Sequence, residues 1–487
     1  MINTAELITF GVYFVFLMIV GVYFYRKTDN IEDYLLGGRG MGKWVTALSA
    51  QASDMSGWLL MGLPGAVLVA GISQSWIAIG LFIGTMLNWI LIAKRLRVYT
   101  AQTDSLTLPS FFESRFRDPS GLLRILGAII TLFFFTIYAS SGLVGAGLLF
   151  ESMFAIPYTT AVLAGGLVIV LYTFLGGFLA VCYSDLFQGA LMLVAVTIVP
   201  ILAYFSVGGS EAISAAMVAN EISGSIIPAG PLPIIAIIST AAWGLGYFGQ
   251  PHILARFMSI GKLKDVSKST TIAGVWVVLS LGFAIVIGIV GIGMFPELAA
   301  DDSERVFILM IREIFNPWIG GILLAAILSA IMSTIDSQLL VSSSSLTEDF
   351  YLKILNKEAS KKELFFVGRL SVVAISLIAM VLAMNPRSNI LGLVSYAWGG
   401  FGAAFGPLII MSLFSRKTTW QSALAGMLTG TIVLVLWEQL GWGAHMYEIV
   451  PGFLANILVM IGVNHFLPQQ DEAILSEFDM HIAATRQ

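Results

Sequence analysis

The residues best suited to chemistry in this sequence lie inside apolar segments. In SDMSGWLLMGLPG, residues 53–65, the carboxylate of Asp54 stands among hydroxyl groups, glycines and a proline. In SAIMSTIDSQLL, residues 329–340, Ser333 and Thr334 place adjacent hydroxyls on a predicted helix. Oxygen groups of these kinds suit an alkali or alkaline-earth cation, although helical hydroxyls also bond the preceding turn. Asp54 either serves a bound cation or cationic solute, is protonated, or caps a helix end.

A third candidate region is WGLGYFGQPH, residues 243–252. Trp243, Tyr247 and Pro251 recur every four residues in it, so they are predicted to share a helical face until the helix breaks. Aromatic residues at this spacing either pack in a core or, beside a glycine-rich segment, form the wall of a pocket for a small amphipathic solute.

The amino-acid composition indicates whether these segments fold in water or in a lipid bilayer. Of the 487 residues, 57% are hydrophobic and 11% are charged, whereas about 25% are charged in soluble domains. We therefore predict an all-α integral membrane protein with about 13 spans of roughly 20 residues each. The spans are predicted near 6–24, 44–70, 74–93, 122–150, 158–178, 183–206, 232–255, 272–295, 316–344, 366–384, 390–414, 420–440 and 448–467.

The distribution of charge predicts the orientation. All of the 25 lysines and arginines except Arg305, Arg312 and Arg387 fall in alternate loops. The positive-inside rule then predicts the N-terminus outside and the C-terminus in the cytoplasm. The basic stretch from Arg256 to Lys268 is interpreted as one such cytoplasmic loop, so Asp54 has no evident basic partner. Without a cleavage pattern, the first span is expected to remain as a membrane helix.

Spans two and seven differ from the others because glycine and proline interrupt both. They lie five spans apart and run in opposite directions in the predicted topology. We therefore predict an inverted five-plus-five repeat core, with broken helices in spans 2 and 7 and a binding site at the midplane between them. The predicted parts are an extra helix and loop (1–43), the first repeat (44–206), the second repeat (207–415), and two C-terminal helices with a tail (416–487).

Four long motifs give a specific resemblance. They are ALSAQASDMSGWLLMGLPGAV, YTFLGGFLAVCYSDLFQG, AWGLGYFGQPHILARFM and LGLVSYAWGGFGAAFGP, in this order along the chain. Together they resemble the solute:sodium symporter family over about residues 5–466, and most closely its bacterial members that carry proline. The resemblance implies thirteen spans, an inverted repeat, and sodium-coupled uptake of L-proline by alternating access across the bacterial inner membrane.

The resemblance also implies roles for single residues. A sodium site between spans two and nine would use the carbonyls of Ala52, Met55 and Ala330, the hydroxyls of Ser333 and Thr334, and the nearby Asp54. The proline site would be lined by Tyr138, Trp243, Tyr247 and Pro251, with Ser56, Gly57 and Gly62 shaping the broken helix beside it. Asp185 would act in sodium release or gating.

Two features are not explained by these motifs. Asp336 has no match in the family motif that carries Ser333 and Thr334; it either assists ion exit or is a carboxylate hydrated in the inward vestibule. GGFGAAFG, residues 399–406, is interpreted as close helix packing rather than a nucleotide loop.

Several alternatives stay open. Within the transporters, another small solute or a proton in place of sodium would suit the same residues. A channel is less expected because of the inverted pair of broken helices, and a membrane sensor because the residues after Pro468 leave little room for an output domain. No enzymatic activity, cofactor, nucleic acid or obligatory protein partner is indicated, and the single cysteine, Cys182, excludes a disulfide within one chain.

Overall fold

The computed structural model describes residues 4–25, 31–175, 177–385 and 389–486. Within these ranges the chain is helical, and the only strand-like contact is a bridge between Met41 and Ile260. The α-helices are α1 (Thr4–Tyr25), α2 (Ile31–Leu36), α3 (Lys43–Asp54), α4 (Leu63–Ala70), α5 (Ser75–Leu87), α6 (Lys94–Gln102), α7 (Leu108–Phe116), α8 (Leu122–Phe154), α9 (Tyr158–Leu175), α10 (Phe178–Ser206), α11 (Gly209–Ala219), α12 (Pro233–Ala241), α13 (Pro251–Ser259), α14 (Val266–Met294), α15 (Val306–Ile314), α16 (Pro317–Ser344), α17 (Lys361–Ala383), α18 (Ile390–Phe414), α19 (Trp420–Gln439), α20 (Ile449–Phe466) and α21 (Glu472–Arg486).

Ten continuous helical stretches of the described chain are long and apolar enough to cross a bilayer. A bent pair of helices adds an eleventh, and Tyr158–Phe174 and Pro233–Gly249 are shorter apolar helices. The two most enclosed stretches contain α16 and α18, with 83% of the most apolar part of each buried, so these helices lie near the centre of the bundle. The ten are Thr4–Phe24, Ile72–Gln102, Leu122–Phe154, Phe178–Ser206, Leu263–Met294, Pro317–Leu355, Lys362–Ala383, Ile390–Phe414, Trp420–Gln439 and Ile449–Phe466.

The bent pair consists of α3 and the helical stretch Trp58–Ala70, whose axes meet at 59°. The α-helix ends after Asp54 because Met55 adopts a ψ of 79°, which turns its carbonyl away from the helix axis. The indole Nε1 of Trp58 donates to the Asp54 carbonyl at 3.0 Å. A side chain thus adds to the hydrogen bonds that a backbone acceptor receives at the break.

A second non-α segment lies between α12 and α13. Residues Ala242–Gly249 wind as a 3₁₀-helix, and Gln250 is extended before Pro251 begins α13. Proline suits the first helical turn because its missing N–H has no partner there. The expectation that Trp243 and Tyr247 share one face is therefore wrong, since at three residues per turn positions four apart point about 120° from each other.

Glycines allow three backbones to approach closely around this segment. A Cβ on Gly84 would lie 2.2 Å from the Gly244 carbonyl oxygen, and a Cβ on Gly244 would lie 2.2 Å from that of Gly80. On the opposite side, a Cβ on Gly249 would lie 2.1 Å from the Phe401 carbonyl oxygen in α18. The Ala242–Gly249 segment is thus held between α5 and α18, and the glycines of GGFGAAFG serve packing, as the sequence indicates.

Candidate functional site

Oxygen atoms from two helices converge at the break after α3. The Ser333 hydroxyl of α16 donates to the Ala52 carbonyl at 2.7 Å, and the Thr334 hydroxyl lies 3.4 Å from the same carbonyl. Both hydroxyls also lie 3.2 Å from the Ala330 carbonyl. All four residues are buried. Two carbonyls and two hydroxyls expected as ligands from the sequence are therefore adjacent.

The oxygen cluster favours one chemical class of ligand. It offers only neutral, hard donors, which suit an alkali cation better than a soft metal. Met55, the fifth expected ligand, lies at the break itself with a non-helical ψ. The described chain contains no group of three or more histidine, cysteine or acidic residues able to hold a metal ion. An alkali or alkaline-earth cation is the class of ligand that these oxygens suit.

Asp54 lies two residues after Ala52 and is fully buried. Its Oδ2 accepts a hydrogen bond of 2.5 Å from the Tyr247 hydroxyl, and its carbonyl accepts one of 3.3 Å from the Tyr138 hydroxyl. Its Oδ1 has no hydrogen-bond partner. The ion pairs of the described residues do not include Asp54. One oxygen of this buried carboxylate therefore has no hydrogen-bond partner, on a residue two positions after the Ala52 carbonyl.

A cavity of about 930 Å³ opens above this region. Gly62 and Trp243 line it, together with residues 300–305, the start of α18 and the connection between α19 and α20. The other residues expected at the solute site do not line it; they are Ser56, Gly57, Tyr138, Tyr247 and Pro251. Trp243 therefore faces the cavity and also lies close to the bent helix, since its ring centroid is 6.3 Å from that of Trp58.

Two acidic residues of the cavity wall are largely buried. Burial raises the pKa of Glu448 to about 7. Burial also raises the pKa of Glu304, although hydrogen bonds from the backbone N–H groups of Ile390 and Leu391, at 2.9 and 3.0 Å, act in the opposite direction. Glu304 thus joins the 300–305 loop to the first turn of α18, where a helix favours an anion.

A charged cluster lies on the other side of the break, away from the cavity. Asp185 of α10 accepts a 2.6 Å hydrogen bond from Ser49 and forms a 3.3 Å ion pair with Arg256 of α13. The interpretation of Arg256 as the start of a basic loop is wrong, because this side chain is fully buried within a helix. Asp336 is also fully buried, so it is not a hydrated vestibule carboxylate.

Arg256 is the functional candidate that the sequence analysis missed. The predicted span ended at residue 255, where the first basic residue after a long apolar run is normally taken as the membrane boundary. The available signal was its immediate setting, since Ile253, Leu254, Phe257 and Met258 surround it with apolar residues. A basic loop would have begun only with Lys262 and Lys264, which the structure places after α13.

The position of Trp243 gives a first testable prediction. Replacing it with alanine is expected to weaken solute binding about tenfold, or ~1.4 kcal/mol, because its ring lines the cavity beside the bent helix. Sodium binding should change much less. Calorimetry of purified protein measures both, and Trp442→Ala, which removes an exposed indole, is the matched control. Unchanged solute affinity would assign Trp243 to packing alone.

Comparisons with known proteins identify the family of this chain. The model of the sodium:solute symporter family matches residues 34–430. The sodium/proline symporter of Escherichia coli (strain K12) is 50% identical over 460 residues, covering 93% of this chain and 91% of that protein. The high-affinity proline transporter PutP of Bacillus subtilis (strain 168) is 45% identical over 466 residues, covering 95% and 98%.

A solved structure shows the same fold. A Na+-coupled sialic acid symporter in a substrate-bound outward-open state matches with a TM-score of 0.82 and 18% identity, covering 96% of this chain and 99% of that one. At this identity the likeness concerns the fold alone. The extent of the family match and the 50% identity to a full-length relative show that this chain belongs to the sodium:solute symporter family.

Proposed function

We propose that this protein is a secondary active transporter that couples uptake of L-proline to sodium by alternating access. The observation that carries the proposal is the oxygen cluster of Ala52, Ala330, Ser333 and Thr334 beside the partly free carboxylate of Asp54. The sodium/proline symporters among the relatives support the choice of ion and solute.

The proposed topology has thirteen spans in a bacterial inner membrane, with the N-terminus outside and the C-terminus in the cytoplasm. The long helices, the bent pair and the two shorter apolar helices supply enough segments for it. Residues 44–206 and 207–415 form the inverted repeats, flanked by 1–43 and 416–487, and spans two and seven are the broken helices. The 59° bend after Asp54 and the 3₁₀ segment before Pro251 support this assignment.

In the proposed sodium site, the carbonyls of Ala52, Met55 and Ala330 and the hydroxyls of Ser333 and Thr334 coordinate the ion. The hydroxyls now donate to the two alanine carbonyls. A cation between them would use the lone pairs of both partners instead, which the rotation of a hydroxyl allows. Sodium therefore replaces direct hydrogen bonds between α3 and α16 with a shared ion, and Asp54 balances its charge.

The proposed proline site lies directly below the cavity, between Trp243 and the Asp54–Tyr138–Tyr247 group. Ser56, Gly57 and Gly62 shape the bent helix at this level, and Pro251 begins α13 beneath it. The Tyr247 hydroxyl bonds the same carboxylate that balances the sodium charge, so the two sites share a residue pair. By linkage, sodium and proline must then raise each other's affinity by the same factor.

The carboxylate of the solute is proposed to meet backbone N–H groups at a helix break, where half-helix N-termini favour anions. The one arginine buried nearby, Arg256, already has hydrogen bonds from all three guanidinium nitrogens. On this basis prolinamide, which lacks the negative charge, should compete poorly with proline.

Uptake into proteoliposomes tests the function directly. Radiolabelled proline should accumulate under an inward sodium gradient and be competed by unlabelled proline far better than by prolinamide or other amino acids. A membrane potential of 100 mV should increase accumulation, since it contributes about 2.3 kcal/mol per charge moved. Uptake driven by a proton gradient without sodium would show that the coupling ion is H+. If another solute competed better than proline, that solute would be the substrate. A flux that does not saturate with solute would indicate a channel.

A further inference from the structure

The guanidinium of Arg256 is held by residues from four helices. Its Nη2 lies 3.3 Å from Asp185 Oδ2 and 2.5 Å from Ser337 Oγ, on α10 and α16. Its Nε donates to Ser49 of α3 at 3.1 Å, and its Nη1 donates to the His252 carbonyl within α13 at 3.0 Å. Arg256 and Asp185 are both fully buried. The cluster therefore joins the lower parts of both interrupted spans to α10 and α16.

Stability alone does not account for such a pair. The cost of removing two charges from water commonly offsets their attraction, and well-packed apolar residues at such sites are often at least as stable. A buried ion pair is, however, expensive to break by removing one partner. The Arg256–Asp185 pair is thus suited to a contact that forms in one conformational state. In a second state the arginine would exchange this partner for another and would not be left unpaired.

The neighbouring groups supply a second acceptor. Asp336 precedes Ser337, is fully buried, and takes part in none of the ion pairs formed by the described residues. It interacts electrostatically with both Asp185 and Arg256. Gln51 and Gln338 also have buried side-chain atoms without partners. Buried polar groups are normally satisfied, so these groups are suited to take new partners when the contacts of Arg256 change.

The cluster adjoins the proposed ion site. The Ser337 hydroxyl donates to the Ser333 carbonyl at 2.7 Å, which places the guanidinium one turn below a proposed sodium ligand. The cavity of about 930 Å³ lies on the opposite side of the break. The two sides of the site are therefore asymmetric: one carries an open cavity and the other a buried arginine.

We propose that Arg256 is the latch that closes the solute and ion path on the side opposite the cavity, and that its guanidinium moves from Asp185 to Asp336 when that path opens. This inference rests on the proposed alternating-access function. Separation of α3 and α13 from α10 and α16 requires the contacts of Arg256 with Asp185 and Ser337 to break. Asp336 then keeps the arginine paired while Asp185 becomes free to contact the departing ion. Arg256 acts on transport through these partners and is a positioning residue.

The chain contains its own reporter for this opening. Cys182 is the single cysteine, is fully buried, and lies three residues before Asp185 on α10, about one helical turn away. Its thiol can react with N-ethylmaleimide only when the path beside the cluster admits the reagent. The alkylation rate of Cys182 in protein reconstituted in lipid therefore measures opening without requiring any solute.

The wild-type protein in sodium alone is expected to alkylate slowly, and Arg256→Gln is expected to raise the rate at least tenfold. Arg256→Lys should be intermediate, because an ammonium cannot bridge Ser49, Asp185 and Ser337 with one planar group. Asp336→Asn should leave the resting rate unchanged but reduce the increase that sodium with proline produces in the wild type. Adding Asp185→Asn to Arg256→Gln should raise the rate little further, because both changes open the same contact.

Arg115→Gln is the matched control, since Arg115 is equally enclosed but bonds the Ser412 and Ser415 carbonyls elsewhere. Comparable acceleration in both glutamine variants, or unchanged alkylation in Arg256→Gln and Arg256→Lys, would overturn the latch. Gel filtration and circular dichroism identify a variant that fails to fold, in which case Arg256→Lys decides. Failure of wild-type protein to take up proline with sodium would refute the proposed function separately, because the alkylation assay in sodium alone contains no proline.

Discussion

Asp54→Asn is expected to reduce sodium-driven proline uptake by about two orders of magnitude with the protein still folded and inserted. Asparagine keeps the shape and can still accept the hydrogen bond from Tyr247, so the change removes mainly the charge. A unit charge about 5 Å from a cation contributes roughly 3 kcal/mol at an effective dielectric constant near 20. Initial uptake rates across a sodium titration, at fixed pH and potential, measure the effect.

The control for Asp54 is a buried carboxylate with a purely local role. Asp118 accepts backbone hydrogen bonds from Ser120 and Leu123, both at 2.9 Å, and so caps a turn. Asp118→Asn should transport nearly normally, because asparagine is an equally good cap. If Asp54→Asn gives the same near-normal sodium curve, Asp54 is also only a cap and the proposed charge balance at the sodium site is wrong.

The second large effect is expected from the hydroxyl ligands. Ser333→Ala and Thr334→Ala should each raise the sodium concentration for half-maximal uptake about tenfold, and the double variant should raise it further. A hydroxyl that contacts a charge contributes ~1.5–3 kcal/mol, and alanine removes that oxygen without adding bulk. Because the sites are linked, proline affinity measured at low sodium should fall as well, whereas saturating sodium should largely restore it.

Ser376→Ala provides the comparison for these hydroxyls. Ser376 is a buried helical serine whose hydroxyl bonds the carbonyl of the preceding turn at 2.7 Å. This is the ordinary role of a serine in a membrane helix. If Ser333→Ala and Thr334→Ala shift the sodium titration no more than Ser376→Ala does, all three hydroxyls have that ordinary role. Ser333 and Thr334 would then not belong to the ion site.

Hydropathy predicts much of the fold because a bilayer imposes length and composition on each span. The predicted segment 390–414 coincides with α18, and 420–440 differs from α19 by one residue at its end. The bend after Asp54 lies in a segment whose glycines and Pro64 indicate an interruption, although its local cause is the backbone of Met55. The ends of membrane-spanning helices can therefore be predicted from the sequence where they depend on the length of the apolar segment.

The contacts across the site were not accessible from residue types alone. The pairing of Ala52 with Ser333 was expected only through the family resemblance, because carbonyl ligands have no signature in the side chain. The orientation of Tyr247 was missed since a four-residue spacing says nothing about 3₁₀ winding. Arg256 is predicted to lie in a loop because hydropathy counts its charge. Hydropathy takes no account of its ion-pair partner, Asp185, which is 71 positions away in the sequence.

The glycine contacts around residues 242–249 limit which parts of the protein can act as a hinge. With backbone close against backbone at Gly84 and Gly244 on one side and at Gly249 and Phe401 on the other, this segment packs directly on α5 and α18, so we expect the three to move together. Gln250, the extended residue that follows, adds to this packing because its side chain donates to the Gly246 and Trp398 carbonyls, both at 3.2 Å. Spin labels on α5 and α18 should accordingly keep a constant separation through the transport cycle.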